Sequence, residues 1–336
     1  MDEAKRIQSV SQLLAIATGR VVEGVRVSKV KADGVGLHQV VFRDSLLEGS
    51  DMQGADFSQS RLEGVKFHGV RMRGFVATGS VMEKTTFEGC ELMEADFSGT
   101  RLFGVQIRVS NATNMKLRSS EVVNGKFIDS ELYHVDFSGV TMVRTRFKDF
   151  RRHTPVLNAS NFSGALLIDV DLRAANLQGA DFSGALLLRV NLDDANIIDT
   201  NFQGALLVGC SMERLVGPEP LVRSLMARNV SEEEWRRPVL DFFAGASVNT
   251  TVVIEALLSA YVTGMTGERG PQGRDIEIPE PQEEPSLQLQ KEESSSQAES
   301  PKTPEPEEEP SSPPPKSGSP IDDPGLYERY KKLELD

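Results

Sequence analysis

Large apolar residues recur at every fifth position through most of the stretch from Val22 to Met212, and this period constrains the fold more than any other feature. An α-helix returns to the same face after 3.6 residues and a β-strand after two, so neither buries such a pattern. A chain that buries one large side chain in every five residues must turn a corner after each unit. Four such units close a square coil of twenty residues, and stacked coils pair at the usual strand spacing of about 4.8 Å.

The remaining positions of each five-residue unit support this interpretation. Small or β-branched residues lie two positions before the large residue, and glycine is frequent two positions after it, where a bend with positive φ suits a residue without Cβ. Residues 175–204 read ANLQG ADFSG ALLLR VNLDD ANIID TNFQG. This pattern resembles the pentapeptide-repeat family, whose unit is A(D/N)LXX. The resemblance implies an all-β fold, a right-handed quadrilateral parallel β-helix, over residues 21–215.

A recurring DFSG motif predicts a ladder of aromatic rings inside the coil. The ladder is expected to contain Phe57, Phe97, Phe137, Phe162, Phe182 and Phe202. The first three are two coils apart and the last three are one coil apart, but the step from Phe137 to Phe162 contains one surplus unit. Because a buried Arg152 would be very costly in an apolar interior, we predict that about five residues loop out within 148–156. The alternative is a continuous coil with Arg152 pointing outwards.

The sequence contains no group of residues typical of catalysis, metal binding or cofactor binding. Its four histidines lack a second histidine, cysteine or acid at a metal-ligand spacing. Cys90 and Cys210 fall on inward positions, which favours unreactive core thiols. Asp169 and Asp171 resemble a metal-binding pair, but Asp171 precedes a large residue and is expected to cap backbone amides. The sequence therefore predicts a protein that is not an enzyme and needs no cofactor.

The ends of the repeat are predicted to be helical, because a β-helix must cover its open edges. Residues 1–20 are interpreted as an N-terminal capping helix with Asp2 as the N-cap. Its buried stripe is predicted to consist of Ile7, Val10, Leu14 and Ala17. Residues 216–264 are interpreted as a helical C-terminal cap or dimerisation segment, with one helix opened by Pro220. An apolar helix over 250–262 would pack on the last coil or form a homodimer, and the resemblance favours the dimer.

The C-terminal part combines a polar tether with a short apolar end. Residues 265–322 are rich in Pro, Glu and Ser and are predicted to be a disordered acidic linker. Three residues of this linker precede proline and are candidate phosphorylation sites: Ser300, Thr303 and Ser319. Within 323–336, one helical face carries Leu326, Tyr327, Tyr330 and Leu333. Such a segment is typical of a linear docking motif, in cis or in trans, although a tail end without a partner is equally consistent.

Charge is unevenly distributed between the repeat and the tail. Residues 1–215 carry 25 basic and 26 acidic residues, whereas the remainder carries 12 and 24. Within the repeat, residues 61–152 are basic, with 15 basic and 11 acidic residues, and are suited either to an anionic partner or to simple solvation. Two cysteines, no secretory segment and no membrane span together predict a cytoplasmic protein.

These features favour a non-enzymatic scaffold or adaptor that binds other proteins. The resemblance implies an alternative, a DNA mimic that inhibits or protects a type II topoisomerase. That alternative suits the fold but not the charge, because only residues 160–213, with 2 basic and 7 acidic residues, are distinctly acidic. Direct nucleic-acid binding is not expected, because a short basic stripe beside a long acidic tail is a poor footprint for it.

Overall fold

The computed structural model describes residues 5–231 and 234 of the 336-residue chain. The described chain winds into a parallel β-solenoid of about eleven turns, accompanied by two short helices. Strands of successive coils pair in parallel, and the paired residues are twenty positions apart, as in Arg101↔Glu121 and Gln106↔Lys126. The large residue of each unit points inward, so a single apolar core runs along the solenoid.

The strands stack into two parallel sheets on two sides of the coil. The first sheet contains β1 (Lys5–Ile7), β3 (Val25–Ser28), β5 (Leu46–Glu48), β7 (Lys66–His68), β9 (Thr86–Glu88), β11 (Gln106–Arg108), β13 (Lys126–Ile128) and β15 (Arg146–Lys148). The second sheet contains β2 (Val21–Glu23), β4 (Val41–Arg43), β6 (Arg61–Glu63), β8 (Val81–Glu83), β10 (Arg101–Phe103), β12 (Glu121–Val123), β14 (Thr141–Val143), β16 (Leu166–Ile168), β17 (Leu186–Leu188), β18 (Leu206–Val208) and β19 (Asn229–Val230). On the other two sides the coils are joined by single bridges such as Asp56↔Val76.

The N-terminal segment differs from the predicted helix over 1–20. Residues Lys5–Ile7 form β1, which pairs with β3 and places Ile7 in the core. Helix α1 spans only Val10–Ala17, and its N-cap is Ser9 instead of Asp2. Leu13 is buried, whereas Leu14, which was predicted to face the core, is 41% exposed. The open edge of β3 offers backbone partners to the preceding residues, and this pairing outweighs the helical pattern of their side chains.

The six phenylalanines of the predicted ladder lie in the core, none more than 3% exposed. Their rings stack one coil apart, with centroid distances of 4.7 Å for Phe137–Phe162 and 4.6 Å for Phe162–Phe182. Between Phe57 and Phe97, the intervening coil carries Ala77 at the ladder position. Phe75 fills that space from the neighbouring corner, with its centroid 5.1 Å from that of Phe57.

The surplus unit leaves the solenoid after Phe147. Strand β14 pairs with β16 in the register Met142↔Leu167, and Glu131 bridges Val156, so both pairings span twenty-five residues instead of twenty. Residues 150–154 form turns and bends outside the coil. The stacking of Phe137 on Phe162 shows that the core continues across this insertion.

Helix α2 (Glu219–Arg228) closes the last coil, with Pro220 in its first turn and Leu225 fully buried. Strand β19 follows and pairs with β18. The side chain of Asn229 accepts a hydrogen bond from the Cys210 amide (3.1 Å) and donates one to the Cys210 carbonyl (2.9 Å). The predicted helix over 250–262 and all of 265–336 lie outside the described residues. No helix in the described part is long and apolar enough to cross a membrane.

Candidate functional site

The acidic and amide residues that precede the large positions have a structural role. Their side-chain oxygens accept a hydrogen bond from the backbone N–H two residues later, as Asp96 does from Ser98 (2.9 Å). Asp171 accepts in the same way from Arg173 (3.2 Å), which is the capping role predicted for it. These Asx-type turns satisfy corner amides that the coil-to-coil ladder leaves unpaired. The repeated D and N of the sequence are therefore explained by backbone geometry.

The two thiols are buried in the core. Burial raises the pKa of Cys90 to about 12 and that of Cys210 to about 11. Because the thiolate is the nucleophile and the metal ligand, a thiol held protonated in this way is inert. Among the described residues, no group of three or more His, Cys, Asp or Glu side chains is placed to hold a metal ion.

Many surface carboxylates of the solenoid face an arginine from a neighbouring coil. Glu48 accepts two hydrogen bonds from Arg26, both 2.8 Å long, and a third from the Ser28 hydroxyl at 2.6 Å. Asp169 makes a comparable two-point contact with Arg189, at 2.6 and 2.9 Å. Such pairs, one coil apart, balance the charge of the surface locally.

A group of four exposed cations departs from this balance. This group, here named the basic patch, consists of Lys126, Arg144, Arg146 and Lys148. Lys126 is aligned with Arg146 across β13 and β15, and Lys148 is the last residue of β15. Within the part of the chain that the structure describes, none of the four has a carboxylate within 4.0 Å, although Asp171 borders the patch beside Arg146 on the next coil. Beneath them Phe127 and Phe147 stack 4.8 Å apart.

The insertion, residues 149–154, lies directly after the basic patch in the chain and is here named the loop. Its Phe150 is 55% exposed. Asp129 accepts a hydrogen bond from the Phe150 amide (2.6 Å), and the buried Asp149 accepts from the amides of Arg151 (2.9 Å) and Arg152 (2.6 Å). Two carboxylates from different coils thus fix the backbone of the loop. It presents an aromatic side chain beside positive charge.

A comparison with protein families bears on the identity of the repeat. The model described as "Pentapeptide repeats" matches eight copies, in residues 37–75, 156–187 and 175–214. Residues 37–75 and 156–214 are therefore identified as pentapeptide repeats. A comparison with curated proteins finds no match.

Among solved structures, similar chains are other pentapeptide-repeat proteins. Full-length QnrB1, a plasmid-mediated fluoroquinolone resistance protein, is 16% identical, with 62% of this chain and 97% of QnrB1 covered and a TM-score of 0.33. HetL, involved in heterocyst differentiation regulation in the cyanobacterium Nostoc sp. strain PCC 7120, is 19% identical, with 63% and 98% covered and a TM-score of 0.23. A protein from the Arabidopsis thaliana thylakoid lumen is 18% identical, with 43% and 81% covered and a TM-score of 0.20.

The pentapeptide-repeat sequence contained a signal for this surface that the prediction did not use. Counting charges indicated a basic middle, but not which side of the coil carries it. Outward positions flank each large residue, so "KFI" and "RFK" place Lys126, Arg146 and Lys148 on one side. Phe150 lies three residues after Phe147, which occupies the large-residue position of its unit, so Phe150 does not fall on the five-residue period. All six phenylalanines of the ladder do fall on it.

The docking peptide predicted at the C-terminus is not tested by this structure. Its four residues, Leu326, Tyr327, Tyr330 and Leu333, lie outside the described residues. The six ladder phenylalanines, which the prediction named as structural, line the pentapeptide-repeat core and have no exposed surface for binding.

Proposed function

We propose that this chain is a non-enzymatic scaffold that binds another protein through the loop and the basic patch. The observation that carries this proposal is Phe150, whose large aromatic side chain is 55% exposed. The buried Asp129 accepts a hydrogen bond from its backbone amide (2.6 Å), and the buried Asp149 accepts one from the amide of Arg151 (2.9 Å). Twelve of the fourteen described phenylalanines are buried in the core, and the other outward one, Phe103, is only partly exposed. The anchored and more exposed Phe150 therefore needs a reason beyond folding.

The chemistry of the surface indicates the kind of partner. Aromatic and arginine side chains dominate the binding energy of protein interfaces when they enter desolvated pockets. Fixing the loop backbone in advance lowers the entropy lost on binding. The four neighbouring cations would steer a negatively charged partner and set its orientation. The preferred partner is therefore a protein with an acidic surface around an apolar pocket.

The C-terminal peptide is proposed as a second contact of the same scaffold. A tether of 58 residues keeps a short docking segment within reach of whatever the solenoid binds, which raises its effective concentration there. Residues Leu326, Tyr327, Tyr330 and Leu333 would supply its apolar face. A homodimer through 250–262 is compatible with this role and stays a prediction.

The alternative of a DNA mimic gains no support from a specific observation. A mimic needs a continuous negatively charged surface, whereas the described carboxylates are repeatedly paired with arginines, as in Arg43–Glu63 (2.8 Å) and Arg214–Asp194 (2.6 Å). The basic patch interrupts the surface further. We therefore favour protein binding without duplex mimicry.

Affinity capture from cytosol, with bound proteins identified by mass spectrometry, tests the proposal with four baits. They are the full chain, a chain ending at Asp275, a full chain with Phe150→Ser, and a full chain with Tyr133→Ser as the matched control. Tyr133 is also an exposed aromatic residue, 38% exposed, but lies on another side of the coil. We expect one set of partners to be lost with Phe150→Ser and retained with Tyr133→Ser. Identical partners for all four baits would contradict both proposed contacts.

A further inference from the structure

The outer face of the second sheet changes character along the solenoid. In β6 the residues that flank the inward leucine are Arg61 and Glu63, and strands β8 to β14 likewise carry polar or partly exposed flanking residues. In the last three coils every flanking residue is aliphatic. This group, here named the apolar wall, consists of Leu166, Ile168, Leu186, Leu188, Leu206 and Val208.

These side chains point outward, and five of the six are nevertheless buried, whereas Leu206 is partly exposed. Successive residues of a strand face opposite sides, so the neighbours of the inward Leu187 must point away from the core. Leu186 and Val208 are 0% exposed, and Leu188 and Ile168 are 2% exposed. The registers Leu166↔Leu186 and Leu186↔Leu206 align them into continuous ladders. An outward face without solvent exposure must be covered by protein from outside.

Helix α2 can cover only the part of the apolar wall that lies on the last coil. Among the strands it packs mainly against β18, and its Leu225 enters the core at the last coil. Strand β16 lies two strand spacings, about 10 Å, further back. The burial of Ile168 and Leu186 therefore calls for a second covering element.

The path of the chain points to that element. Strand β19 continues the second sheet, with Val230 aligned to Val208, and Asn229 is clamped to both backbone groups of Cys210. The chain therefore leaves the described structure at the edge of the apolar wall. The Glu234 amide donates a hydrogen bond to the Ser231 carbonyl (3.1 Å), so the chain turns directly after β19. The next apolar residue, Trp235, immediately follows this turn. Segment 235–243 contains the five large apolar residues Trp235, Val239, Leu240, Phe242 and Phe243.

We propose that segment 235–243 folds back and covers the apolar wall of the same chain. The segment would turn an aliphatic surface that is prone to association into an internal interface. This inference does not depend on the proposed function, because the wall and the basic patch involve different strands and different residues.

Tryptophan fluorescence of the full chain tests the inference, because Trp235 is the only tryptophan. We expect an emission that is blue-shifted from that of free tryptophan and several-fold less accessible to acrylamide. Leu188→Ser should shift the emission to the red and raise acrylamide quenching several-fold. Val123→Ser, at the corresponding outward position of β12, should change neither quantity. A solvent-exposed Trp235 in the unchanged chain would overturn the proposal.

Far-UV circular dichroism would reveal whether Leu188→Ser disturbs the solenoid. Two further variants, which leave the solenoid residues unchanged, test the inference in that case. Phe243→Ser leaves the wall intact and should also expose Trp235. Val253→Ser, in the next apolar segment, should not. An emission that responds to Val253→Ser alone would assign the wall to the downstream segment. An emission that shifts on dilution would assign it to a second copy, and either result would overturn the inference.

Discussion

At the scale of single residues, the corners of the coil require a left-handed backbone conformation, and several residue types adopt it. The position two after the large residue has positive φ in almost every unit, whether it is glycine, as at Gly99 (66°), or not, as at Lys84 (50°). Val109 occupies this position with φ 50°. A β-branched residue is strained in this left-handed region, so Val109 marks a site where the sequence and the corner disagree.

Val109→Gly is expected to stabilise the protein. Relief of the strain should raise the free energy of unfolding by about 1 kcal/mol. Val123→Gly removes the same side chain from an ordinary strand position and should lower it by about 0.5–1 kcal/mol. Urea unfolding of the two variants checks the sign, and a loss of stability in Val109→Gly would contradict the assignment of strain.

Glu48 is expected to make stability depend on acidity. Hydrogen bonds from Arg26 and Ser28 lower the pKa of its carboxyl to about 2, from an ordinary value of 4.5. A carboxyl whose pKa is lowered by folding stabilises the folded state above its unfolded pKa, and that contribution is lost as pH falls towards the folded pKa. Glu48→Gln should therefore lower the melting temperature at pH 7. The difference should shrink between about pH 4.5 and 2, and a constant difference would contradict the pairing.

At the scale of elements, the aromatic ladder carries the core across the insertion. Phe162 stacks on Phe137 below and on Phe182 above, at 4.7 and 4.6 Å. Phe162→Ala should lower the free energy of unfolding by about 3–5 kcal/mol, because neighbouring coils cannot collapse into the cavity. Phe150→Ala, on the exposed loop, should change it by less than about 0.5 kcal/mol. Equal effects in chemical denaturation would show that the ladder does not support the fold.

The elements also show what the sequence could predict. The period of five located the inward residues and the surplus unit, because each follows from counting along the chain. It could not locate β1, since the pairing of Lys5–Ile7 depends on an open strand edge that local helical periodicity ignores. The period of five also missed the apolar wall, because it identifies only the inward residue of each unit. It does not show that outward residues such as Leu186 and Leu188 are buried by protein outside the coil.

At the scale of the solenoid, each coil contacts only its neighbours, so stability is a sum of local terms. The loop should therefore be removable. Replacing residues 149–154 with a single glycine deletes five residues and preserves the register Met142↔Leu167 that already spans the insertion. We expect the β-sheet circular dichroism and a cooperative melt to persist. An unfolded or aggregated product would show that the loop is needed for folding and would weaken its assignment as a binding element.

Binding of an acidic protein partner by the loop and the basic patch can be tested with one measurement. It is quantitative capture of cytosolic proteins by Arg144→Glu and Lys84→Glu chains at low and high salt. The two residues occupy the same corner three coils apart, with φ 50° in both, but only Arg144 belongs to the basic patch. We predict at least about a tenfold loss of partner with Arg144→Glu at low salt, or about 1.4 kcal/mol, and little change with Lys84→Glu. Equal capture by both variants would contradict the claim.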